Sequence, residues 1–267
     1  MTQTPRLSVV IPAYYEAATV IESLNRVLAQ PFVKEVIVVD DASKDETGVL
    51  LAQVSNPKVR VITHQKNRGK GAALRTGFAA AEGPYVGVHD ADLEYDPNDL
   101  AKLLVPLDEG KADVVYGSRL ISGEARRVLF YWHSVANRFL TWLSNMATNT
   151  NMSDMETCYK VFRRDLLDRI VIEEDRFGFE PEITAKVAGL GARIYEVGIS
   201  YSGRTYAEGK KINWRDGVRA VYCIAKYSGK AKRIDSKSNG ATGAKLGEVR
   251  GQKDGKKSGG DWCWGYG

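Results

Sequence analysis

Four carboxylates on alternate positions, Asp90, Asp92, Glu94 and Asp96, crowd the stretch YVGVHDADLEYDP from Tyr85 to Pro97. The residues before them, Tyr85 to Val88, have a strand pattern, and Pro97 suits the first turn of a helix, so the carboxylates fall at a strand end. A hard divalent cation such as Mg²⁺ or Mn²⁺ takes oxygen ligands, often only one or two of them protein carboxylates, and leaves its other positions to water and substrate phosphates. Asp90 and Asp92 have the spacing for that work. A solvated acidic loop that caps the following helix would use the same residue types. The rest of the chain has to decide between the two.

Short β-rich runs alternate with helical patterns through the first half of the chain, which predicts a mostly parallel sheet flanked by helices. The strands expected are Leu7–Ala13, Glu35–Val39, Lys58–Thr63, Tyr85–His89 and Ala112–Tyr116, with helices at Glu16–Ala29, Asp45–Gln53, Gly69–Ala81 and Asn98–Leu107. In open sheets of this kind ligands bind beyond the carboxyl ends of the strands. Those ends carry, in order, Pro12, Tyr14 and Glu16; Asp40 and Asp41; Gly69 and Lys70; the acidic turn; and Arg119. A strand-end carboxylate can accept hydrogen bonds from a nucleoside, glycines allow a close backbone approach and Lys70 offers a cation. Asp45 is placed to cap a helix, and a cap is the competing reading for each of the other carboxylates.

The segments PAYYE, VVDDASKD, NRGKGAAL, HDADLEYDP and VVYGSR, in this order and spacing, resemble the family 2 glycosyltransferases of GT-A fold, in particular the dolichol-phosphate mannosyltransferase-like branch. The likeness continues through DMETCYKVFRRDLL, FGFEPEITAKVA and YSGRTYAEGKKINWRDG, and so covers roughly residues 6–227. It implies a single GT-A, Rossmann-like catalytic domain that takes a nucleotide-sugar donor. By resemblance, Pro12, Tyr14, Glu16 and Asp40 surround the nucleoside, with Asp41, Gly69 and Lys70 beside them. Asp90 and Asp92 then hold the Mg²⁺ or Mn²⁺ that bridges the donor pyrophosphate, and Glu94 stands where a third metal-facing residue occurs. The implied acceptor is a polyprenyl phosphate. The chain departs from the branch at Tyr15, where Asn is frequent, and at Glu156–Lys160, where ETCYK replaces a T-S-G-F-[RK]-like stretch. The second departure bears on the sugar and the acceptor.

Arg126–Ala147 reads as an amphipathic helix with Leu129, Trp132, Ala136, Phe139, Leu143 and Ala147 on one face and Ser134, Asn137, Thr141 and Asn145 on the other. It is either a core-facing helix or, with its tryptophans and with Arg126 and Arg127 at one end, an interfacial helix at a lipid headgroup boundary. Asp154 and Glu156 follow, and Phe179–Glu182 adds Glu180 and Glu182. A hydroxyl acceptor needs a general base, whereas an anionic phosphate needs none. Asp154 is therefore read as a base, an orienting group or a structural cap. Arg204, Lys210 and Lys211 lie in a glycine-flanked loop after an expected strand at Arg193–Ser200. Such cations can close over a pyrophosphate or an acceptor phosphate and stabilise charge on a departing nucleotide. A solvated basic loop is the competing reading, and the family resemblance favours the first.

The chain has 267 residues, 43% of them hydrophobic, enough for one large α/β domain. Its net charge of +5 does not point to nucleic acid, because from Lys226 onward ten Lys/Arg face four Asp/Glu and the chain before that is close to neutral. Residues 228–267, rich in Gly, Ser and Lys, read as a disordered tail after a catalytic domain at 1–227. Three cysteines without metal-ligand spacing fit a reducing, cytoplasmic compartment. No stretch reaches about 18 uninterrupted apolar residues, so the protein is expected to be soluble or peripheral, and the lipid-phosphate acceptor that the resemblance implies puts it at the cytoplasmic face of a membrane. Two other functions fit less well. A sugar nucleotidylyltransferase would carry a Gly-rich loop where this chain has PAYYE, and a phosphoacceptor domain would place its acidic pair after the first strand rather than the second.

Overall fold

The computed structural model describes residues 4–121, 123, 125–128, 130–205 and 216–228. Its elements in chain order are β1 (Leu7–Ala13), α1 (Val20–Leu28), β2 (Val33–Asp40), α2 (Thr47–Ala52), β3 (Val59–Thr63), α3 (Lys70–Ala80), β4 (Tyr85–Val88), a 3₁₀ turn (Pro97–Asp99), α4 (Leu100–Asp108), β5 (Val114–Ser118), α5 (Tyr131–Thr148), β6 (Lys160–Arg163), α6 (Arg164–Leu167), α7 (Phe179–Gly189) and β7 (Ile194–Gly198). A further helix, α8, spans 216–228.

The seven strands form one sheet in the order β3-β2-β1-β4-β6-β5-β7. All neighbours run parallel except β6, which is antiparallel to both β4 and β5. β1 has helices on both faces, so apart from Pro12 its residues are buried and its sequence is an apolar run rather than an alternation. Helix α3 lies close against it: a Cβ added to Gly77 would sit 2.2 Å from Val10 Cγ1. The chain winds outward from β1 to β3, then returns to place β4 on the other side of β1. The connections after β1 and β4 therefore leave in opposite directions and open a crevice at their carboxyl ends, the usual ligand position in such sheets.

Most of the expected elements are present, and the differences have local causes. The expected helix from Glu16 begins at Val20, because the backbone N–H groups of Tyr15, Glu16 and Ala17 are taken by the side chains of Ser43, of Thr47 at the start of α2, and of Asp45. β5 starts at Val114 rather than Ala112, since Ala112 donates to the Pro106 carbonyl and Asp113 pairs with Arg193. α5 starts at Tyr131, not Arg126, which instead forms an isolated bridge with Tyr201. β6, α6, α7 and α8 are additions to the sequence reading. β6 is only four residues long, and α7 is buried almost all round, so neither shows a periodic polar stripe.

Candidate active site

On the β2 side of the crevice, side chains stitch three loops together. Asp40 is buried and its Oδ1 accepts the Ser43 N–H at 3.1 Å. Asp41 accepts the N–H groups of Arg68 at 2.9 Å and Gly69 at 2.6 Å, and its Oδ1 lies 2.7 Å from His64 Nδ1. Both of its oxygens are engaged, so Asp41 anchors the loop after β3 rather than offering a free carboxylate to a nucleoside. Gly69 has a left-handed φ of 99°, and its missing Cβ leaves room for the Asp175 carbonyl, which would be 2.4 Å away. Gly71 makes the same allowance for the Glu174 carbonyl at 2.1 Å. On their buried side both glycines admit the 174–176 backbone. Tyr14 and Tyr15 stay partly open at the mouth, with ring centroids 4.4 Å apart.

Lys70, the first residue of α3, reaches under the acidic turn, with Nζ 3.0 Å from Asp90 Oδ2 and 3.2 Å from Glu180 Oε1 at the start of α7. Burial disfavours its charge, but the two carboxylates outweigh burial and hold the ammonium well above its ordinary range. Asp90 is kept low in spite of burial by Lys70 and by a hydrogen bond from the Cys158 thiol. Asp92 goes the other way: burial, and then the carboxylates of Asp90 and Glu94, push it up to about 7, against a hydrogen bond from the Glu94 N–H and the nearby Arg204 guanidinium. Leu93 between them adopts φ 62°, a left-handed conformation costly for a residue with a γ-branched side chain.

Arg204 lies among these carboxylates, its guanidinium 3.3 Å from Asp92 Oδ2, 3.3 Å from Glu94 Oε1 and 3.5 Å from Glu16 Oε2. Glu94 also accepts the Tyr201 hydroxyl at 2.7 Å and the Arg204 N–H at 3.0 Å. Glu94 is thus turned toward the 201–204 segment, and among the described residues no three His, Cys, Asp or Glu side chains converge as a metal cluster. Asp90 and Asp92 alone still suit Mg²⁺ or Mn²⁺, which need only one or two carboxylates when phosphates supply other ligands. Burial first, and then the neighbouring carboxylates, disfavour the charged form of Asp92, and a cation held there would favour it.

Farther along the crevice, Arg119 at the end of β5 makes a two-pronged pair with Asp154, Nε to Oδ2 at 2.7 Å and Nη2 to Oδ1 at 2.8 Å. The Arg119 N–H adds 3.1 Å, and Asn137 from α5 donates to Oδ1 at 3.0 Å. Asp154 is fully buried, and Arg119 more than offsets burial and holds its carboxyl below the ordinary range. Of the roles left open by the sequence, this geometry supports an orienting group, since a base needs a free lone pair aimed at a proton. The Arg119 guanidinium also lies over the Tyr201 ring, its Cζ 5.2 Å from the centroid. Lys210 and Lys211 lie outside the described residues, as does the tail beyond Ser228.

Helix α5 does not serve as a core helix. Its polar stripe faces inward: Asn137 binds Asp154, Thr141 Oγ1 accepts the Met155 N–H at 3.2 Å, and Asn145 pairs with both backbone groups of Met152 at 2.8 and 2.9 Å. Its apolar stripe faces outward, with Trp132 77%, Phe139 51% and Trp142 54% exposed. No described helix is long and apolar enough to cross a membrane.

Residues 8–171 match the sequence profile of Glycosyl transferase family 2. The chain belongs to that family. This glycosyltransferase is 31% identical, over 77% of its length and 87% of the relative's, to the undecaprenyl-phosphate mannosyltransferase of Micrococcus luteus. It is 30% identical, over 75% and 79%, to the polyprenol monophosphomannose synthase of Mycolicibacterium smegmatis. The dolichol-phosphate mannosyltransferase of Pyrococcus furiosus is 26% identical over 86% of this chain, which spans 66% of that longer protein. Among solved structures, glucosyl-3-phosphoglycerate synthase of Mycobacterium tuberculosis, with Mn²⁺, UDP and glucosyl-3-phosphoglycerate bound, superposes with a TM-score of 0.65 at 21% identity, covering 84% of this chain and 80% of that one. That likeness establishes the GT-A fold.

Proposed function

We propose that this glycosyltransferase moves a sugar, with inversion, from a nucleoside-diphosphate sugar to a polyprenyl phosphate at a membrane surface. The observation that carries the reading is the division of the crevice. Carboxylates and a buried lysine sit at the β1/β4 reversal, and an arginine held by a fully buried aspartate sits on the far side. The first half suits a diphosphate with its cation and the second suits an anionic acceptor. Relatives named as polyprenyl-phosphate mannosyltransferases support the same acceptor class.

In this reading Tyr14, Glu16 and Asp40 bound the nucleoside, and Asp90 and Asp92 would hold Mg²⁺ or Mn²⁺. Such a cation, when bound, supplies charge neutralisation to the leaving diphosphate. Arg119 orients the acceptor phosphate. Its oxygen forms the new bond to the anomeric carbon as the bond to the donor diphosphate breaks, and the nucleoside diphosphate departs with that electron pair. Arg204 is placed to follow the growing charge on the diphosphate. A phosphate nucleophile needs no proton removed, which accords with the engagement of Asp154 by Arg119. The alternative, a sugar or protein hydroxyl acceptor, would require a separate base.

The exposed face of α5 brings the enzyme to its lipid substrate. The helix carries aromatic residues outward and no Asp or Glu between Tyr131 and Thr148, while Arg126 and Arg127 precede it, so insertion to the headgroup level is favoured on anionic bilayers. Two assays test the proposal. Purified protein incubated with a panel of nucleotide sugars, Mg²⁺ or Mn²⁺, and a short polyprenyl phosphate should yield a lipid-phosphate sugar, and Asp92→Ala should abolish it. Transfer only to hydroxyl acceptors would refute the acceptor assignment. Co-sedimentation with anionic liposomes should be lost when Trp132 and Trp142 are changed to Ser in a protein that remains folded by circular dichroism. Undiminished binding of that variant would remove α5 as the contact surface.

A further inference from the structure

Between the two halves of the crevice runs the segment from Asp154 to Cys158, and its ends are both committed. Asp154 is paired with Arg119, and the Cys158 thiol is hydrogen-bonded to Asp90. The backbone between them is pinned at nearly every residue. The Met155 N–H donates to Thr141 Oγ1 at 3.2 Å, Thr157 Oγ1 donates to the Gly117 carbonyl at 2.5 Å, and the Cys158 N–H donates to the Tyr95 hydroxyl at 3.1 Å. Buried Lys160 closes the turn from below by donating to the carbonyls of Met155, at 3.2 Å, and Thr157. In the middle of this rigid turn stands Glu156. Its Oε1 has no hydrogen-bond partner, the single such atom among the buried side-chain nitrogens and oxygens of the described residues. Buried carboxyl oxygens are seldom left so, and a rigidly held one is the arrangement by which a site receives a polar group of its ligand.

We infer that Glu156 reads a hydroxyl of the transferred sugar and helps to decide which sugar is accepted, an inference that rests on the glycosyl-transfer reading above. Position and charge both favour the sugar over the other ligands. One neighbour of Glu156 is Glu180, which shares Lys70 with Asp90 at the diphosphate end, and others are Arg119 and Asp154 at the acceptor end. The group between a leaving diphosphate and an attacking phosphate is the sugar. The charges that face Glu156, the carboxylates of Glu180 and Asp154 against the cations of Lys160 and Arg119, are equal in number, which leaves no surplus positive charge for a further phosphate and suits a neutral hydroxyl. Burial, and then the Glu180 carboxylate, push Glu156 up to about 8, so near neutral pH it is mostly a carboxylic acid able both to donate to and to accept from a hydroxyl. This places in the ETCYK stretch, where the chain departs from the branch it resembles, a residue with a direct hold on the sugar.

The test compares wild type, Glu156→Gln and Glu156→Ala. The probes are GDP-mannose and UDP-glucose with their singly deoxygenated analogues, and GDP and UDP alone as controls. Wild type should prefer its parent donor over one deoxy analogue by about 10- to 100-fold in kcat/KM, the range of a single good hydrogen bond to a buried polar group. Glu156→Ala should erase that one preference and keep the others, while affinity for the nucleoside diphosphate stays within about twofold. Glu156→Gln, close in volume and hydrogen-bonding pattern to the protonated acid, should keep most of the preference, and it serves if the alanine variant fails to fold. The inference is overturned if nucleoside diphosphate binds normally but Glu156→Ala loses the same factor for parent and deoxy donors alike. That outcome would mark a general base or a structural group. If neither GDP nor UDP binds to wild type, the glycosyl-transfer reading itself falls, and this inference falls with it.

Discussion

Replacing Arg204 by Met should make the donor-free protein bind Mn²⁺ more tightly and yet turn over more slowly. In the structure the guanidinium stands 3.3 to 3.5 Å from three carboxylates, so it occupies electrostatically the place where a cation at the acidic turn would act. The side chains are 20% exposed for Arg204, 16% for Asp92 and 12% for Glu94, so the pairs are screened, though less than at an open surface. Two unit charges at this range are worth about 1 kcal/mol in water and about 4 kcal/mol at an effective dielectric of about 20, and partial exposure favours the lower figure. Taking about 1 kcal/mol for each of Asp92 and Glu94 gives about 2 kcal/mol, or roughly a 30-fold gain in Mn²⁺ affinity once the guanidinium is gone. The Arg204 N–H to Glu94 bond is a backbone contact and survives the substitution. Turnover should fall by about 10²- to 10³-fold, because a cation placed to meet charge developing on the diphosphate has been removed. Mn²⁺ titration by electron paramagnetic resonance without donor, followed by steady-state kinetics with it, reads both effects. An Mn²⁺ affinity that is unchanged or weaker in a folded Arg204→Met protein would show that the guanidinium does not compete at this turn.

The buried Arg119–Asp154 pair should be costly to break from one side: Asp154→Ala leaves an uncompensated guanidinium and should lower stability by about 3–5 kcal/mol in denaturant unfolding. Asp154→Asn should raise the acceptor KM without removing an acidic limb from the pH–rate profile, and loss of that limb would reinstate Asp154 as a base. Burial pulls His89 down to about 4, below the ordinary value of about 6.5, so the unfolded state binds more protons between these two pKa values and stability falls as pH drops through that window. The loss between about pH 7 and about pH 5 should be about 2 kcal/mol from this residue, and denaturant curves of His89→Gln should show a drop smaller by that amount. Equal drops in the two proteins would contradict the assignment. Gly71→Ala drives a Cβ to within 2.1 Å of the Glu174 carbonyl and should cost about 1–3 kcal/mol while weakening nucleoside-diphosphate binding. Gly217→Ala, with nothing within 4 Å of the new methyl and a helical position in α8, should be neutral or slightly stabilising in the same melts.

Local pattern was enough to locate much of the candidate site. A strand pattern followed by carboxylates, glycines or a lysine at successive strand ends marks the edge of a parallel sheet whatever the remaining packing. Asp40, Lys70, Asp90, Asp92 and Arg119 lie at those ends as the sequence implied. Periodicity also showed that α5 has two unlike faces. It did not show which one points inward, because that depends on what the rest of the chain brings to the helix. The 152–155 segment brings a buried aspartate and unpaired backbone groups, which Asn137, Thr141 and Asn145 satisfy, and leaving those groups unpaired would cost more than leaving Trp132 and Phe139 in contact with water. The same long-range pairing engaged Asp154 with Arg119 and Asp41 with the backbone of Arg68 and Gly69, and it turned Glu94 toward Tyr201. The type and spacing of residues state which chemistry is available, but a carboxylate's role follows from which donors reach it. Those donors come from positions far away in the chain, joined to it only by the folded sheet.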